Sequence, residues 1–226
     1  MTQKPDLAGF DALLRARHSC RGFLPDQLTQ KVIGSIVEAA QRVPSWCNAQ
    51  PWHLTITSGT ETDRLRNFLF QAASEEKHNA DVDFPEEYRG VYKDRRREVG
   101  WQLYEQMGVV KGDRQGSARE MMKNFRFFDA PHVAVITSDQ ALGPYGVLDV
   151  GGFVTAFCLA AEAAGVASIP QAAPAGFSGQ LRRFFNIPQE RIVVCCVSFG
   201  LRDENHPSNQ FRSNRAKLDE IVDWRD

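Results

Sequence analysis

The chain has 226 residues, of which 42% are hydrophobic and 24% are charged, and its formal net charge is −1. These values are typical of a soluble globular protein with one large or two small domains, and they exclude a general electrostatic attraction to nucleic acid or anionic membranes. The polar N-terminus does not resemble a signal peptide, and no uninterrupted apolar run approaches the roughly 20 residues of a membrane span. We therefore expect a cytoplasmic protein that binds neither nucleic acid nor membrane.

Apolar periodicity, with glycine and proline at its interruptions, predicts an alternation of helices and strands. Thr29 is suited to cap the second helix, which must stop before Pro44, and Gly165 is expected to end the sixth. The predicted helices are 10–16, 28–42, 62–74, 86–106, 117–124, 148–164 and 180–185. The predicted strands are 52–57, 130–138, 166–169 and 191–199, so the fold class is α+β, with about four strands between helices.

The five cysteines are an odd number and include no Cys-x-x-Cys pair. Cys195 and Cys196 are neighbours in an apolar run, so their side chains should point to opposite faces of a strand. The five histidines show no spacing typical of metal ligands. The pattern predicts reduced, buried thiols, and neither a disulfide framework nor a metal site.

A polar loop bounded by Pro44 and Pro51 separates the second helix from the first strand. Prolines lack an N–H and fix φ, so neither a helix nor a central strand continues through them. The loop carries a hydroxyl, a thiol, amides and indoles, which together suit a planar ligand with polar edges. The alternative is an ordinary turn whose tryptophans, Trp46 and Trp52, pack on the core.

The segment 75–120 is crowded with charges and carries scattered aromatic residues. We predict a helical excursion that is either a lid over a pocket or a solvated helical hairpin, because both have this composition. The residues from 202 to 226 form a polar arm with few apolar anchors. Such an arm must lie along a surface of its own chain or of a partner.

Two basic clusters lie near opposite ends of this nearly neutral chain: Arg17-His18-Ser19-x-Arg21 and Arg212-Ser213-Asn214-Arg215. Guanidinium and hydroxyl groups at this spacing suit a phosphate, and the two clusters could converge on one phosphorylated ligand. The alternative is a solvated basic surface. The chain has no dinucleotide-binding glycine motif, no P-loop and no Gly-x-Ser-x-Gly, so we expect a cofactor to carry the chemistry.

Five motifs, in this order, resemble the FMN-dependent nitroreductase family over residues 10–226. They are Arg17-His18-Ser19-Cys20-Arg21-Gly22-Phe23, Pro44-Ser45-Trp46-Cys47-Asn48-Ala49-Gln50-Pro51-Trp52, Asn124-Phe125-Arg126-Phe127-Phe128-Asp129-Ala130-Pro131, Gly165-Val166-Ala167-Ser168-Ile169-Pro170 and Arg212-Ser213-Asn214-Arg215-Ala216. The first two are the most specific.

The resemblance implies one domain, 1–226, with an α/β/α sandwich: a central, mainly antiparallel sheet flanked by helices, in an intertwined homodimer. One FMN would bind at each of two interface sites, to which both subunits contribute. The implied cofactor-binding residues are Arg17, His18, Ser19, Arg21, Asn124, Pro170, Gln171, Ala172, Arg212 and Arg215, with Pro44, Ser45, Trp46 and Asn48 from the other subunit. The residues expected to contact the substrate are Trp46, Tyr88, Tyr92 and Phe127.

The resemblance also implies an activity. NADH or NADPH would reduce the FMN, and the flavin would then reduce a small nitroaromatic or quinone-like acceptor by two-electron ping-pong transfer. Two alternatives keep the flavin: a reductive dehalogenase or flavin-fragmenting enzyme on the same fold, and a flavin-binding protein without enzymatic activity. The sequence departs from the family at Gln171-Ala172-Ala173, where relatives often have a glycine, and at Phe127, where some have a basic residue.

Overall fold

The computed structural model describes residues 6–225. The predicted domain 1–226 therefore extends slightly beyond the described residues at both ends. The helices are α1 (Leu7–Ala16), α2 (Gln30–Ala40), α3 (Thr60–Glu75), α4 (Gly90–Gln106), α5 (Arg114–Met122), α6 (Gly143–Ala163) and α7 (Ser178–Phe185). The strands are β1 (His53–Ser58), β2 (His132–Asp139), β3 (Ala167–Gln171) and β4 (Arg191–Gly200).

The four strands form one sheet in the order β1-β2-β4-β3, and every neighbouring pair is antiparallel. Both faces are covered: Ala134 and Ile136 of β2 face one core cluster, whereas Val133 and Val135 face the other. This alternation follows from the two-residue period of a strand. The predicted α+β sandwich is confirmed.

Helices α2 and α6 cover the first face of the sheet. Thr29 caps α2 as predicted, since its hydroxyl accepts a hydrogen bond from the backbone N–H of Val32. Phe153 and Phe157 of α6 are fully buried in this core. Within residues 6–225, one helical stretch, Gln140–Ala163, is long and apolar enough to cross a membrane by length and composition alone. Its burial against the sheet explains the apolar residues on its inner side.

The second face is covered by α3, α7 and the turn Lys123–Asp129. Leu65 and Leu69 of α3 and Leu181 of α7 are fully buried there. Helices α4 and α5 lie outside the sandwich, and neither has more than one buried residue. The segment of the predicted excursion does hold two helices, although α4 begins at residue 90 and not at 86, and α5 spans 114–122 and not 117–124. A lid role for this segment stays a prediction.

Two further details correct the sequence analysis. Helix α6 begins at Gly143, five residues before the prediction, because Pro144 is accommodated in its first turn. Cys47 is exposed, so the prediction of buried thiols is wrong for this residue. Cys196 is fully buried on the second face while Cys195 packs against the first, which confirms their predicted opposite orientation.

Candidate functional site

The first basic cluster runs along the free edge of the sheet. Helix α1 ends at Ala16, and Arg17 leaves it in an extended conformation. The backbone N–H of Cys20 then donates to the carbonyl of Ser168 in β3 at 3.1 Å, and Ser19 forms a parallel bridge with Ser168. The segment that carries the cluster is therefore fixed to β3 by backbone bonds.

The chain beyond β4 returns to the same segment. The N–H of Leu24 donates to Leu201 at 2.9 Å, and the N–H of Asp203 donates to Gly22 at 3.1 Å. This close approach requires glycine at position 22. A Cβ on Gly22 would lie 2.7 Å from Cδ2 of His206 and closer still to other atoms of that side chain. The return brings the C-terminal basic cluster beside the N-terminal one.

The two clusters line one cleft of about 780 Å³. Its lining includes all of the predicted phosphate-binding residues, namely Arg17, His18, Ser19, Arg21, Arg212 and Arg215, together with Ser213. From the sequence alone, the clusters could either converge on one ligand or form a solvated basic surface. The fold brings them together across nearly 200 residues of chain.

Four of these arginines lack a carboxylate partner. No ion pair within residues 6–225 includes Arg17, Arg21, Arg212 or Arg215. Among the described residues, one acidic side chain lines the cleft, that of Asp11 on α1, and it is paired with Arg15 at 2.6 Å. Guanidinium groups with free donors, next to serine hydroxyls, fit the phosphate of a nucleotide cofactor such as FMN.

Burial perturbs two of the cationic groups. It lowers the pKa of the Arg21 guanidinium, whose hydrogen bond to the carbonyl of Ser19 is long at 3.3 Å. It also lowers the pKa of His18, which is only 6% exposed. Nδ1 of His18 lies 3.0 Å from the carbonyl of Ala16, while its Nε2 is buried without a hydrogen-bond partner in the described chain. An anionic ligand would offset these costs.

A smaller cavity of about 140 Å³ adjoins Arg21. Asn124 and Phe128 line one side, and α4 and α5 close the other with side chains that include Tyr104 and Met107. The guanidinium of Arg21 lies over the ring of Phe128, at 5.8 Å from its centroid. Arg21 therefore connects the cationic cleft to a mixed apolar and polar space beside α4 and α5.

The profile of the family described as "Nitroreductase family" matches residues 14–201. The chain belongs to the nitroreductase family. It is 31% identical over 206 residues to a 4-nitrobenzoate reductase of Pseudomonas putida, and the matched residues make up 91% of each chain. It is also 30% identical over 213 residues to the nitroreductase NfnB of Mycolicibacterium smegmatis, and the matched residues make up 94% of this chain and 91% of NfnB.

Solved nitroreductases have the same fold. The structure described as the FMN-dependent nitroreductase NfnB from Mycobacterium smegmatis in complex with NADPH superposes with a TM-score of 0.93 at 30% identity, and covers 98% of this chain and all of that one. The structure described as the FMN and NADPH-dependent nitroreductase NfnB from sphigopyxis sp. strain HMH gives a TM-score of 0.91 at 27% identity. It covers 96% of this chain and 98% of that one.

The predicted ring-contacting turn is only partly available to a ligand. Pro170 and Ala172 are exposed, whereas Gln171 is only 4% exposed. Nε2 of Gln171 donates to the backbone carbonyl of Asn124 at 3.1 Å and to its Oδ1 at 3.3 Å, and Oε1 accepts from Ser198 at 2.5 Å. The side chain of Gln171 therefore holds Asn124 in place.

The proline-bounded loop lies away from the cationic cleft within one chain. None of Pro44, Ser45, Trp46 and Asn48 lines it. The N–H of Trp46 donates to Asp149 of α6 at 3.0 Å, and its indole packs against Tyr145 at a centroid distance of 5.1 Å. This location agrees with the expectation that the loop serves the site of another subunit, which stays a prediction.

The three aromatic residues predicted to contact the substrate outside this loop have different surroundings. Tyr88 and Tyr92 are 42% and 67% exposed and line neither the cationic cleft nor the adjoining cavity. The prediction that Phe127 contacts the substrate is wrong. Phe127 is fully buried in the second core cluster, so it presents no surface to an acceptor. Its φ of 56° lies in the left-handed region, which is uncommon outside glycine.

One residue that the sequence analysis missed is Asn209. It is 2% exposed, and it bonds to the backbone of the first basic cluster. A lone asparagine in a polar arm gives no local signal of such a role, because its partners lie 187 and 188 residues away.

Proposed function

We propose that this chain is an FMN-dependent oxidoreductase that uses NADH or NADPH to reduce nitroaromatic or quinone-like acceptors by two-electron ping-pong transfer. The observation that carries the proposal is the convergence, on one cleft of a nitroreductase fold, of four arginines that have no carboxylate partner within residues 6–225. Like charges gathered in one cleft repel each other, and a bound anion would relieve that repulsion.

In this proposal, different residues of the chain bind different parts of FMN. Arg17, Ser19, Arg212 and Arg215 would bind the phosphate, with His18 behind them. Arg21 also borders the smaller cavity. Together with Asn124, it would reach the edge of the flavin ring. Bound FMN supplies the capacity to take up a hydride from the reductant and pass it to the acceptor.

Arg21 also has an electrostatic role in this proposal. A positioned cation at the pyrimidine edge stabilises the negative charge that develops there on reduction. Its lack of a carboxylate partner matters, because an acidic neighbour would cancel that field. No general acid is identified near the cleft, so the protons would come from water.

We propose that the functional unit is a homodimer in the cytoplasm, within which residues 1–226 form one domain with a lid at 75–120 and an arm at 202–226. Three observations support the dimer. Only 39% of the apolar window in the helix Gln140–Ala163 is buried. Leu148 on α6 is 68% exposed, and the arm leaves Ile221 and Trp224 66% and 78% exposed. The loop around Trp46 lies beside the same outer face of α6.

The test begins with the purified chain, which should bind FMN. Under anaerobic conditions, NADH or NADPH should bleach the flavin absorbance, and a nitroarene should restore it. A colourless chain that cannot be reconstituted with FMN would overturn the proposal. Bound FMN that neither reductant bleaches would favour a flavin-binding protein without enzymatic activity, and turnover supported only by oxygen or a halophenol would favour the dehalogenase alternative.

A further inference from the structure

We infer that Asn209 is the positioning residue that fixes the two basic clusters relative to each other. The inference rests on the proposed function, because it explains how the FMN phosphate site is assembled. Asn209 lies in the short helical turn Pro207–Gln210, between β4 and the C-terminal cluster. It is only 2% exposed and lines neither cavity, so it acts through other residues.

Every hydrogen-bonding group of the Asn209 side chain is used. Its Oδ1 accepts from the backbone N–H of Arg21 at 2.9 Å. Its Nδ2 donates to the carbonyl of Gly22 at 2.8 Å and to that of Asp203 at 2.9 Å. An amide has one acceptor oxygen and two N–H donors, so no other common side chain of this size can make this set of bonds.

The main chain of Asn209 contacts the second cluster. Its carbonyl accepts from Nη1 of Arg212 at 2.7 Å, and its N–H donates to the carbonyl of His206 at 2.9 Å. One buried residue thus bonds to the backbone of Arg21 on one side and to the guanidinium of Arg212 on the other. Because Asn209 is buried and every polar group of its side chain is bonded, these bonds define the distance between the clusters more sharply than exposed contacts could.

The packing around Gly22 provides a second, independent restraint at the same place. The ring of His206 occupies the space that a Cβ of Gly22 would need, and Nδ1 of His206 lies 2.7 Å from the hydroxyl of Ser208. The segment from His206 to Asn209 is therefore held against the first basic cluster by both packing and hydrogen bonds.

The experiment compares FMN with riboflavin, which lacks the phosphate. The dissociation constants of both are measured by fluorescence titration of the flavin-free, full-length chain and of the Asn209→Ala variant. We expect Asn209→Ala to weaken FMN binding about 10- to 100-fold, the range for loss of a charge-assisted phosphate contact, and to change riboflavin binding much less. Asn79→Ala is the control, since the side chain of Asn79 also accepts from a backbone N–H, that of Gly179 at 3.1 Å, and lines neither the cationic cleft nor the adjoining cavity. It should leave the ratio of the two constants unchanged.

A purely structural role for Asn209 predicts a different result. Asn209→Ala would then lower the melting temperature and weaken both flavins equally, and that outcome would overturn the inference, as would an unchanged ratio. If Asn209→Ala does not fold, Asn209→Ser, which stays neutral and polar but cannot bridge all three partners, is measured in the same way. Failure of the unaltered chain to bind FMN would overturn the proposed function itself, whereas normal binding with an unchanged ratio in the variants would overturn only the role of Asn209.

Discussion

Replacement of Arg21 by methionine should weaken flavin binding without destabilising the protein. Arg21 is half-buried, has no carboxylate partner in the described chain and makes one long hydrogen bond, to the carbonyl of Ser19 at 3.3 Å. In the flavin-free protein its burial is uncompensated, which is why its pKa is lowered. Methionine keeps an unbranched, flexible side chain, but it is shorter than arginine and removes both the charge and the guanidinium group that lies over the ring of Phe128.

The size of the expected effect follows from the one contact that Arg21 would make with the flavin. A hydrogen bond to a charged group contributes roughly 1.5–3 kcal/mol, so the dissociation constant of FMN should rise by about 10- to 150-fold. The melting temperature of the flavin-free variant should stay the same or rise, because an unpaired cation no longer has to be desolvated.

Arg182→Met is the matched control. Arg182 is also largely buried, but it pairs with Asp81 at 2.8 Å and donates to the carbonyl of Arg191 at 2.8 Å, away from the cationic cleft. Its loss should destabilise the protein by roughly 3 kcal/mol and leave the affinity for FMN unchanged. Differential scanning fluorimetry and flavin titration measure the two quantities. The reasoning is refuted if Arg21→Met lowers the melting temperature as much as Arg182→Met while FMN binds normally.

Three further predictions concern other residues. Arg17→Ala and Arg215→Ala should each strip FMN during purification while leaving the circular dichroism spectrum unchanged; full flavin occupancy in both would mean that the phosphate lies elsewhere. In the folded chain, burial lowers the pKa of His132 below its ordinary value of 6.5. As the pH falls, His132 therefore takes up a proton in the unfolded chain before it does so in the folded one. The free energy of unfolding should therefore decrease between about pH 7 and pH 5, and urea titrations of His132→Gln should show a smaller decrease. Gly22→Ala should destabilise by about 1–3 kcal/mol through steric overlap, whereas Gly34→Ala, with open space around its Cβ on α2, should not; equal urea midpoints would contradict this.

Much of the fold was predictable because its signals are local. The Thr29 cap and the continuous apolar run of β2 depend on residues within a few positions, and both are found where the sequence indicates them. The start of α6 was missed because its first turn, from Gly143 with a φ of 53°, lacks the apolar period that marks the rest of the helix. The sequence shows a helix most clearly where it is buried, and least clearly at its ends.

The candidate site was predictable in its composition but less so in its geometry. The arginines and serines of both clusters carry a chemical signature for phosphate, and they line one cleft. Phe127 was misassigned because Phe127, Phe128 and Asp129 take consecutive left-handed conformations, with φ of 56°, 52° and 57°. Such a run is rare outside glycine, so spacing alone could not show which aromatic side chain turns into the core.

The residues that connect the site are amides, and their neutrality has a physical reason. Asn209 holds the backbone beside Arg21, and Gln171 holds Asn124, in each case with a side chain that both donates and accepts. An aspartate or glutamate could accept the same N–H bonds, but its charge would pair with the nearby guanidinium groups and compete with a bound phosphate. Several carboxylates pair with arginines outside this cleft, as Glu162 does with Arg202 at 2.9 Å, and Asp11, which does line the cleft, is paired with Arg15. A chain with a net charge of −1 can thus keep a strongly cationic site, because neutral side chains connect it and no carboxylate within residues 6–225 pairs with Arg17, Arg21, Arg212 or Arg215.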